Sequence, residues 1–365
     1  MKPTKSNHIV LTLALLTCLS TLNLQPATAF AQGSLTPPGA PAPTMKTLTQ
    51  VEPRTPISSA PFTISAPGSY YLTTNLTVSS GNGITISSGN VTLDLNGFVL
   101  QGVSGSGSGI LVSSTYTNIA VRNGTITGWG GGGMDAFDYG HPRNLVLERL
   151  TVSANGSYGI ETEAGSVVRD CCSMSNHVDG IYCYGGLVSG CMARDNGNAG
   201  ININDCTVRD CQVESNYVDG ILANHSTVRD CQVLGNGYGV YVNYCTVSGC
   251  YVAYSLKSGI YVYIQGCQIT GNNCYNNNTS LNTSEAGIYI DDNNNRVEDN
   301  HVVGNGYAGI MVGSGFHNNI IVKNTVIGSS VTNYSIPAGQ IVGPLITNTV
   351  SGIITNSNPW ANFSF

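Results

Sequence analysis

CTVRDCQVESNYVDGILANHSTVRDCQVLGNGYGV, the stretch Cys206–Val240, contains the phrase TVRDCQV twice at an interval of 20 residues. In both copies an Asn stands five residues after the Cys of this phrase, and a Gly followed by Ile or Val comes three or four residues later. A close internal repeat of this length is typical of a chain that winds into stacked coils. The stretch therefore predicts a solenoid.

The same pair of a Gly and an apolar residue marks successive units along the chain. These marker glycines are Gly83, Gly109, Gly133, Gly159, Gly180, Gly200, Gly220, Gly239, Gly259, Gly287 and Gly309. Between markers apolar and polar residues alternate, and no segment has helical spacing. A leucine-rich repeat has a similar period, but Leu is scarce here and no helical half is present. We predict an all-β parallel solenoid of about 11 coils, each with about three short strands.

Cys and Asn recur at fixed places in these coils. The first slot holds Cys171, Cys191, Cys211, Cys231, Cys250 and Cys267, continued by Asn300 and Asn324, and the second holds Asn176, Asn196, Asn216, Asn236, Asn272 and Asn305. Asn at a turn can pass hydrogen bonds from coil to coil, and Cys is a small apolar core residue. We expect an Asn ladder and a stack of buried thiols. Disulfides remain open for Cys172, Cys183, Cys206, Cys245 and Cys274.

Several longer phrases have a family likeness. FTISAPGSYYL, NVTLDLNGFVLQG, VRNGTITGW and the tail NPWANF resemble phrases of the right-handed parallel β-helix repeat proteins, in the pectate-lyase-like superfamily, and of their exported bacterial branch. The resemblance covers roughly Thr55 to Phe365 and implies a right-handed coil. The NTD, GHG and RIK elements of polygalacturonases are missing, so the resemblance assigns no catalytic residue.

The N-terminal residues predict export. Residues 1–31 have the basic head, apolar stretch and small-residue cleavage sites of a signal peptide. A Pro-rich linker follows over 32–54, then the β-helix over 55–330 and a β-rich cap over 331–365. A net charge of -6 without a basic cluster argues against nucleic acid and anionic membranes as partners. No membrane insertion of the mature chain is expected, and the oligomeric state stays open. We expect a protein secreted by a bacterium or held at its surface, with an extracellular polysaccharide as partner.

Side chains two and four positions after each marker should face solvent on one wall. The first position gives Asp135, Glu161, Tyr182, Asn202, Leu222, Tyr241, Tyr261, Tyr289 and Met311, and the second gives Phe137, Glu163, Tyr184, Asn204, Asn224, Asn243, Tyr263 and Asp291. The Tyr rings and Asn amides of this wall are suited to binding sugars. The alternative is that the Tyr rings only stack on one another from coil to coil.

Three acids at the N-terminal end of this wall are candidate catalytic residues. Asp135 and Glu161 should lie about 5 Å apart, the separation of a retaining glycosidase pair, with Glu163 on the same strand as Glu161. Crowded carboxylates raise one another's pKa, so that one can act as an acid. The alternatives are a solvated acidic edge and a cation site.

The excursion MDAFDYGHPRN lies beside these acids. Its Asp138, Tyr139, His141 and Arg143 could supply the base and the cation of a polysaccharide lyase, with Tyr139 also able to contact substrate. The alternative is that the excursion is only a polar loop on a long coil. We predict a glycoside hydrolase or a polysaccharide lyase, with a non-catalytic carbohydrate-binding adhesin or cell-surface structural protein as the alternative.

No cofactor is expected. Zinc would need CxxC pairs, which are absent from the sequence. Calcium is an alternative at Asp291, Asp292, Glu298 and Asp299, although their spacing matches no known calcium loop.

Overall fold

The computed structural model describes residues 51–113, 115–136, 143–347, 354 and 356–365, and for Arg143 it describes only the backbone. The chain divides into two units, 1–52 and 53–365. Only Val51 and Glu52 of the first unit are described, so the following concerns the second. Its described residues form 39 β-strands and no α-helix. No described helix is long and apolar enough to cross a bilayer.

The strands form three faces of a parallel solenoid. Face A is a sheet of 13 strands. Its strands are β2 (Phe62–Ile64), β5 (Ile84–Ile86), β8 (Ile110–Val112), β10 (Met134–Asp135), β12 (Ile160–Thr162), β15 (Ile181–Tyr184), β18 (Ile201–Asn204), β21 (Asp219–Asn224), β24 (Tyr238–Asn243), β27 (Ile260–Val262), β30 (Ala286–Ile290), β33 (Ala308–Val312) and β36 (Thr332–Ser335).

Faces B and C belong to one sheet of 26 strands. Face B comprises β1 (Thr55–Ile57), β3 (Gly68–Leu72), β6 (Val91–Asp94), β13 (Val167–Arg169), β16 (Leu187–Ser189), β19 (Thr207–Arg209), β22 (Thr227–Arg229), β25 (Thr246–Ser248), β28 (Gln268–Thr270), β31 (Arg296–Glu298), β34 (Ile320–Val322) and β37 (Ile341–Val342). Face C comprises β4 (Leu76–Thr77), β7 (Val99–Gln101), β14 (Cys172–Met174), β17 (Met192–Arg194), β20 (Gln212–Glu214), β23 (Gln232–Leu234), β26 (Tyr251–Ala253), β29 (Asn273–Tyr275), β32 (His301–Val303), β35 (Thr325–Ile327), β38 (Leu345–Thr347) and β39 (Asn362–Ser364). Two long strands, β9 (Thr117–Thr127) and β11 (Arg143–Ser153), run through both faces and join them.

The solenoid has slightly more coils than the marker glycines predict. Face A contains 13 strands, so the chain winds about 12 times. The two additional strands, β2 and β36, lie at the ends of face A and have no marker glycine before them.

The core consists of stacked columns of aliphatic side chains. Ile160, Ile181, Ile201, Ile221 and Val240 are register partners on face A, and each is 0% exposed. Stacking identical or similar residues in adjacent parallel strands buries apolar surface and lets every coil satisfy the backbone groups of the next. The alternation in the sequence therefore places one set of residues inside and the other on the wall.

The marker glycines and the Asn ladder share one corner, between faces C and A. The ladder runs through Asn155, Asn176, Asn196, Asn216 and Asn236. Asn196 Oδ1 accepts hydrogen bonds from the backbone N–H and from Nδ2 of Asn176, at 3.1 and 3.0 Å. A Cβ on Gly180 would lie 2.5 Å from Asn196 Nδ2 and 2.6 Å from the carbonyl oxygen of Gly200. The corner therefore has no room for a side chain at the marker.

The structure corrects two slot assignments. Asn272 lies in the cysteine slot, because its Oδ1 accepts the N–H of Cys250 and its own N–H donates to Asn300 Oδ1, both at 3.0 Å. Cys267 lies at the corner between faces A and B, where the N–H of Cys245 donates to its Sγ at 3.3 Å. The coils after Gly239 differ in length, so a fixed residue count from one Cys no longer reaches the same corner.

The predicted stack of buried thiols is confirmed. The eleven cysteines among the described residues are free, and ten of them are buried. Cys183 and Cys206 come within 3.6 Å of each other, Sγ to Sγ, well beyond the roughly 2.05 Å of a disulfide bond. The described coils are therefore held together without disulfide cross-links.

Candidate functional site

Face A carries the two outward rows that the sequence predicts. In the first row Asp135 pairs with Glu161, Glu161 with Tyr182, and Tyr182 with Asn202. The first row continues through Leu222, Tyr241, Tyr261, Tyr289 and Met311. In the second row Tyr184, Asn204, Asn224 and Asn243 are successive register partners. The structure thus brings the acids, amides and aromatic rings onto one wall, one coil apart.

An acidic cluster occupies the N-terminal part of this wall. Asp135 accepts a hydrogen bond from Ser108 Oγ at 2.8 Å. Glu163, which was expected to face solvent, is only 2% exposed. The pKa of Glu161 is raised to about 7. Burial is the largest cause, and the negative charges of Asp135, Asp179 and Glu163 raise it further. At neutral pH Glu161 is therefore divided between its protonated and ionised forms and can give or take a proton.

Two further acids of this cluster were missed because only the residues after each marker were considered. Asp179 and Asp219 stand directly before Gly180 and Gly220, in the phrase VDG that occurs twice. They belong to a third row that includes Tyr158, Asp179, Ala199, Asp219, Tyr238 and Ser258. The repeated phrase VDG is the sequence signal that could have identified these two acids. Asp stands before the marker glycine in both copies, whereas the coil between them has Ala199 at that position.

Both acids are almost fully buried. Asp179 accepts hydrogen bonds from Asn198 Nδ2 at 2.7 Å and from the N–H of Ala199 and Asn202 Nδ2, both at 2.9 Å. Burial nevertheless raises the pKa of Asp179. The pKa of Asp219 is raised to about 6, first by burial and then by the charge of Asp179. The cluster thus extends over five coils as a set of coupled carboxyl groups.

A cluster of tyrosines follows the acids along the same wall. We call Tyr238, Tyr241, Tyr261, Tyr263 and Tyr289 the Tyr cluster. The rings of Tyr241 and Tyr261 stack with centroids 5.0 Å apart, and Tyr261 meets Tyr289 edge-on at 5.2 Å. Tyr263, which is 49% exposed, lies 5.8 Å from the ring of Tyr241. The rings support one another and present a continuous aromatic surface.

Hydroxyls of this cluster donate hydrogen bonds to Asp291 and Glu285 in the coil of β30. Tyr261 donates to Asp291 at 2.6 Å, Tyr289 donates to the same carboxylate at 3.2 Å, and Tyr238 donates to Glu285 at 3.0 Å. Burial, followed by the neighbouring charges, raises the pKa of Tyr241 and of Tyr289 to about 12 each. These tyrosines therefore remain protonated hydrogen-bond donors over the physiological range.

Three of the four acids considered for calcium, all but Asp299, have protein partners. Asp291 binds the two tyrosine hydroxyls, Asp292 accepts the N–H of Gln265 at 3.2 Å, and Glu298 binds Lys323 at 2.7 Å. Within the described parts of the chain, no group of three or more His, Cys, Asp or Glu side chains is arranged to hold a metal ion.

Part of the predicted site lies outside the described residues. Phe137, Asp138, Tyr139 and His141 belong to the undescribed stretch 137–142, and only the backbone of Arg143 is described, at the start of β11. The lyase hypothesis built on this excursion stays a prediction.

Two surface grooves lie away from the acidic cluster. One of about 620 Å³ follows the corner between faces C and A, and its lining includes Trp129, His177 and Asp195 but none of the predicted site residues. Another of about 420 Å³ lies near the C-terminal end of face A and includes Tyr289 and Met311. The described surface thus offers grooves as well as a wall.

Comparison with known proteins identifies the family to which this architecture belongs. The model of the family described as "Right handed beta helix region" matches residues 64–227 and 220–364. None of the curated proteins compared with the chain matches its sequence.

Solved structures share the fold at low sequence identity. The A-module of mannuronan C-5 epimerase AlgE6 from Azotobacter vinelandii is 21% identical, with a TM-score of 0.66, over 82% of this chain and 90% of that one. The AlgE4 A-module of the same organism is 16% identical, with a TM-score of 0.62, over 78% and 91%. A double mutant of the tailspike protein of E. coli bacteriophage HK620, in complex with a pentasaccharide, is 14% identical, with a TM-score of 0.50, over 82% and 72%.

Proposed function

Because the chain belongs to the right-handed β-helix family, we propose that it is an exported bacterial protein that hydrolyses glycosidic bonds of a polysaccharide on face A. The observation that carries the proposal is the pairing of Asp135 with Glu161 in adjacent coils, together with the pKa of about 7 at Glu161. The names of the similar structures, an epimerase of mannuronan and a tailspike bound to a pentasaccharide, support a polysaccharide as the partner.

The two carboxyl groups have distinct roles in this proposal. Adjacent coils are about 4.8 Å apart, which is close to the roughly 5 Å between the carboxyl groups of a retaining glycosidase. Protonated Glu161 donates its proton to the glycosidic oxygen, and Asp135, positioned by Ser108, attacks the anomeric carbon. Ionised Glu161 then takes a proton from the water that releases the sugar from Asp135. The raised pKa suits Glu161 to both steps near neutral pH.

The rest of the wall is proposed to bind the sugar chain. The spacing of about 4.8 Å between coils is similar to the length of one sugar unit, so a chain along face A would meet one coil per sugar. Tyr182, Tyr241 and Tyr261 would stack against sugar faces, and Asn202 and Asn204 would hydrogen-bond hydroxyls. This assigns substrate binding to the first and second rows.

A non-catalytic carbohydrate-binding adhesin or surface protein is the second candidate. It is favoured by the mutual packing of Tyr241, Tyr261 and Tyr263, which gives an aromatic surface that needs no acid to bind a sugar. Under this alternative the chain retains glycan affinity and releases no product.

Release of reducing ends from a panel of neutral and uronate-containing glycans tests the proposal. Wild-type protein should release them, and Glu161→Gln and Asp135→Asn should each reduce turnover by about 10³-fold or more with glycan affinity largely kept. Glu214→Gln, an exposed glutamate at the end of β20 on face C, is the matched control and should keep full activity. Full activity in both site variants would refute the assignment, and binding without turnover by the wild type would favour the adhesin.

Export is part of the proposal and has its own test. The N-terminal sequence of the protein recovered outside the cell should begin at Phe30 or Gln32, after the small-residue sites that end at Ala29 and Ala31. Recovery of the full-length chain inside the cell only would contradict it.

A further inference from the structure

One coil turns the corner between faces C and A in fewer residues than its neighbours. Ser215 and Gly235 hold the same place at the start of this corner, because Ser215 donates to Leu234 and Gly235 to Ala253, the last residues of successive face C strands. At the far end Asp219 is the register partner of Tyr238. The corner therefore spans 215–219 in one coil and only 235–238 in the next, while the following coil, 254–258, has the longer form again.

Because this corner is one residue shorter and contains two glycines, a notch with a volume of about 480 Å³ opens in the surface. Gly235 and Gly237 form its floor, and a Cβ on Gly235 would have only Ser215 Oγ within 4 Å, at 3.9 Å. The walls come from the coils on either side. Tyr217, which is 81% exposed, forms one wall, and Leu256, which is 56% exposed, forms the other.

A cation stands at the rim of the notch. Lys257 Nζ lies over the ring of Tyr238, 4.4 Å from its centroid. It forms no salt bridge in the described part of the chain, although its charge acts on the buried carboxyl of Asp219 and opposes the rise in the pKa of that group. An aromatic face, a floor without side chains and an ammonium group without a salt-bridge partner are thus brought together at one place on the surface of the described chain.

We propose that this notch binds one uronic acid ring of an acidic polysaccharide, with its apolar face against Tyr217 and its carboxylate on Lys257. The assignment rests on the proposed function only in taking the ligand to be a polysaccharide unit, and it concerns a site other than the pair Asp135 and Glu161.

The dimensions fit a single ring. Tyr217 and Leu256 belong to coils two steps apart, which is about 9.6 Å. A ring between two walls needs about 3.5–4.0 Å on each side, or roughly 8 Å in all. A sugar ring therefore fits between the walls, whereas two stacked rings do not.

The charge selects among sugars. The ammonium of Lys257 would gain a charge-assisted hydrogen bond from a uronate carboxylate that a neutral hexose does not offer. The acids of face A disfavour an anionic ring on the wall itself, whereas Lys257 favours one at the notch. A branch or an adjacent unit of the bound chain could reach it, because Lys257 of the notch lies over the ring of Tyr238 in the third row.

The test is calorimetric titration of the mature protein with trimannuronate and with neutral mannotriose, which avoids any dependence on turnover. Wild type should bind trimannuronate about tenfold more tightly than mannotriose, and Lys257→Gln should remove that preference while Lys257→Arg keeps it. Tyr217→Ala should weaken trimannuronate binding about fivefold, whereas Tyr244→Ala, an exposed tyrosine at another corner, should not.

Filling the notch gives the sharpest comparison. Gly235→Asn places a side chain on the floor at a backbone φ of +63°, a conformation that Asn tolerates and that Ser215 and Asn276 already adopt at the same corner position. It should weaken trimannuronate binding by about tenfold or more. Gly328→Asn, at the same position of a distant coil with open space around it, should have no effect.

Equal affinity of the wild type for the two trisaccharides, or unchanged trimannuronate binding in Gly235→Asn, would overturn the assignment. Glu161→Gln should bind trimannuronate as the wild type does. Failure of the notch would therefore appear as lost or unselective binding, and failure of the proposed hydrolysis would appear as absent turnover with notch binding intact.

Discussion

Removing one rung of the Asn ladder should destabilise the solenoid far more than an exposed substitution does. Asn196 is 2% exposed, and its Oδ1 is the acceptor for both the backbone N–H and Nδ2 of Asn176. Its own Nδ2 donates to Asn216 Oδ1 at 2.9 Å and to the carbonyl of Ser173 at 3.3 Å. Asn196→Ala removes all four hydrogen bonds without changing the backbone.

The loss of unfolding free energy in Asn196→Ala depends on which buried polar groups lose their hydrogen-bond partners. Asn176 Nδ2 keeps Ser173 Oγ at 3.0 Å, and Asn216 Oδ1 keeps the N–H of residue 196 at 3.1 Å. The backbone N–H of Asn176 loses its acceptor, and an unsatisfied buried group costs about 1–3 kcal/mol. The cavity left by the carboxamide adds about 1 kcal/mol, so the free energy of unfolding should fall by about 2–4 kcal/mol.

Urea unfolding combined with amide hydrogen exchange measures both the total and the local effect. Asn196→Ala should lower the free energy of unfolding and speed exchange at the N–H of Asn176 in particular. Gln212→Ala, on the exposed outer side of face C, should change stability by no more than about 0.5 kcal/mol. Unchanged protection of the Asn176 amide would refute the reasoning, because that group is the one predicted to lose its partner.

The Asn ladder is interrupted at Ser255, and restoring an Asn at this position should raise the free energy of unfolding. Ser255 occupies the Asn position in its coil, its N–H donates to Asn277 Oδ1, and its Oγ is buried without a partner. Ser255→Asn would restore a carboxamide that can accept from Asn236 and donate to Asn277, and it should stabilise the protein by about 1 kcal/mol. A loss of stability would show that the break is required by packing at this corner.

Three further outcomes are expected. The pKa of Glu161 is raised in the folded protein to about 7 from its ordinary value of 4.5, so its contribution to stability is present below pH 4.5 and is lost as the pH rises through about 7. Glu161→Gln should flatten that part of the stability curve in urea titrations at several pH values, and an identical curve would contradict the shift. The ten buried thiols should resist alkylation at pH 8 in the native protein because the reagent cannot reach them, and all eleven cysteines of the described chain should react after unfolding without reductant. Tyr241→Ala and Tyr261→Ala should each weaken glycan binding, and the double variant should lose less than the sum because the two rings stack on each other; full additivity would argue against a shared surface.

The outward rows of face A could be predicted from the sequence because two simple rules fix them. Each marker glycine identifies the start of a face A strand, and the strand period of two then decides which side chains face out. Asp135, Glu161 and Tyr182 consequently fall in register although the intervals between their markers differ. Variation in loop length does not disturb this prediction, since each coil carries its own marker.

Features defined between markers were harder to predict. Cys267 and Asn272 were misplaced because the other corners have no marker of their own, and residue counting fails once coil lengths vary. Asp179 and Asp219 precede the glycine, where the sequence gives no rule for orientation. Their burial and shared charge emerge only when the third row is assembled in space.

The anomeric configuration of the product, followed by proton NMR during the first minutes of hydrolysis, tests the central claim most directly. Asp135 and Glu161 stand one coil apart, about 4.8 Å, which predicts that the configuration of the substrate is retained. Inversion would contradict the assignment and would point to carboxyl groups two coils apart, as Asp179 and Asp219 are. The absence of new reducing ends from every glycan tested would contradict hydrolysis on face A altogether.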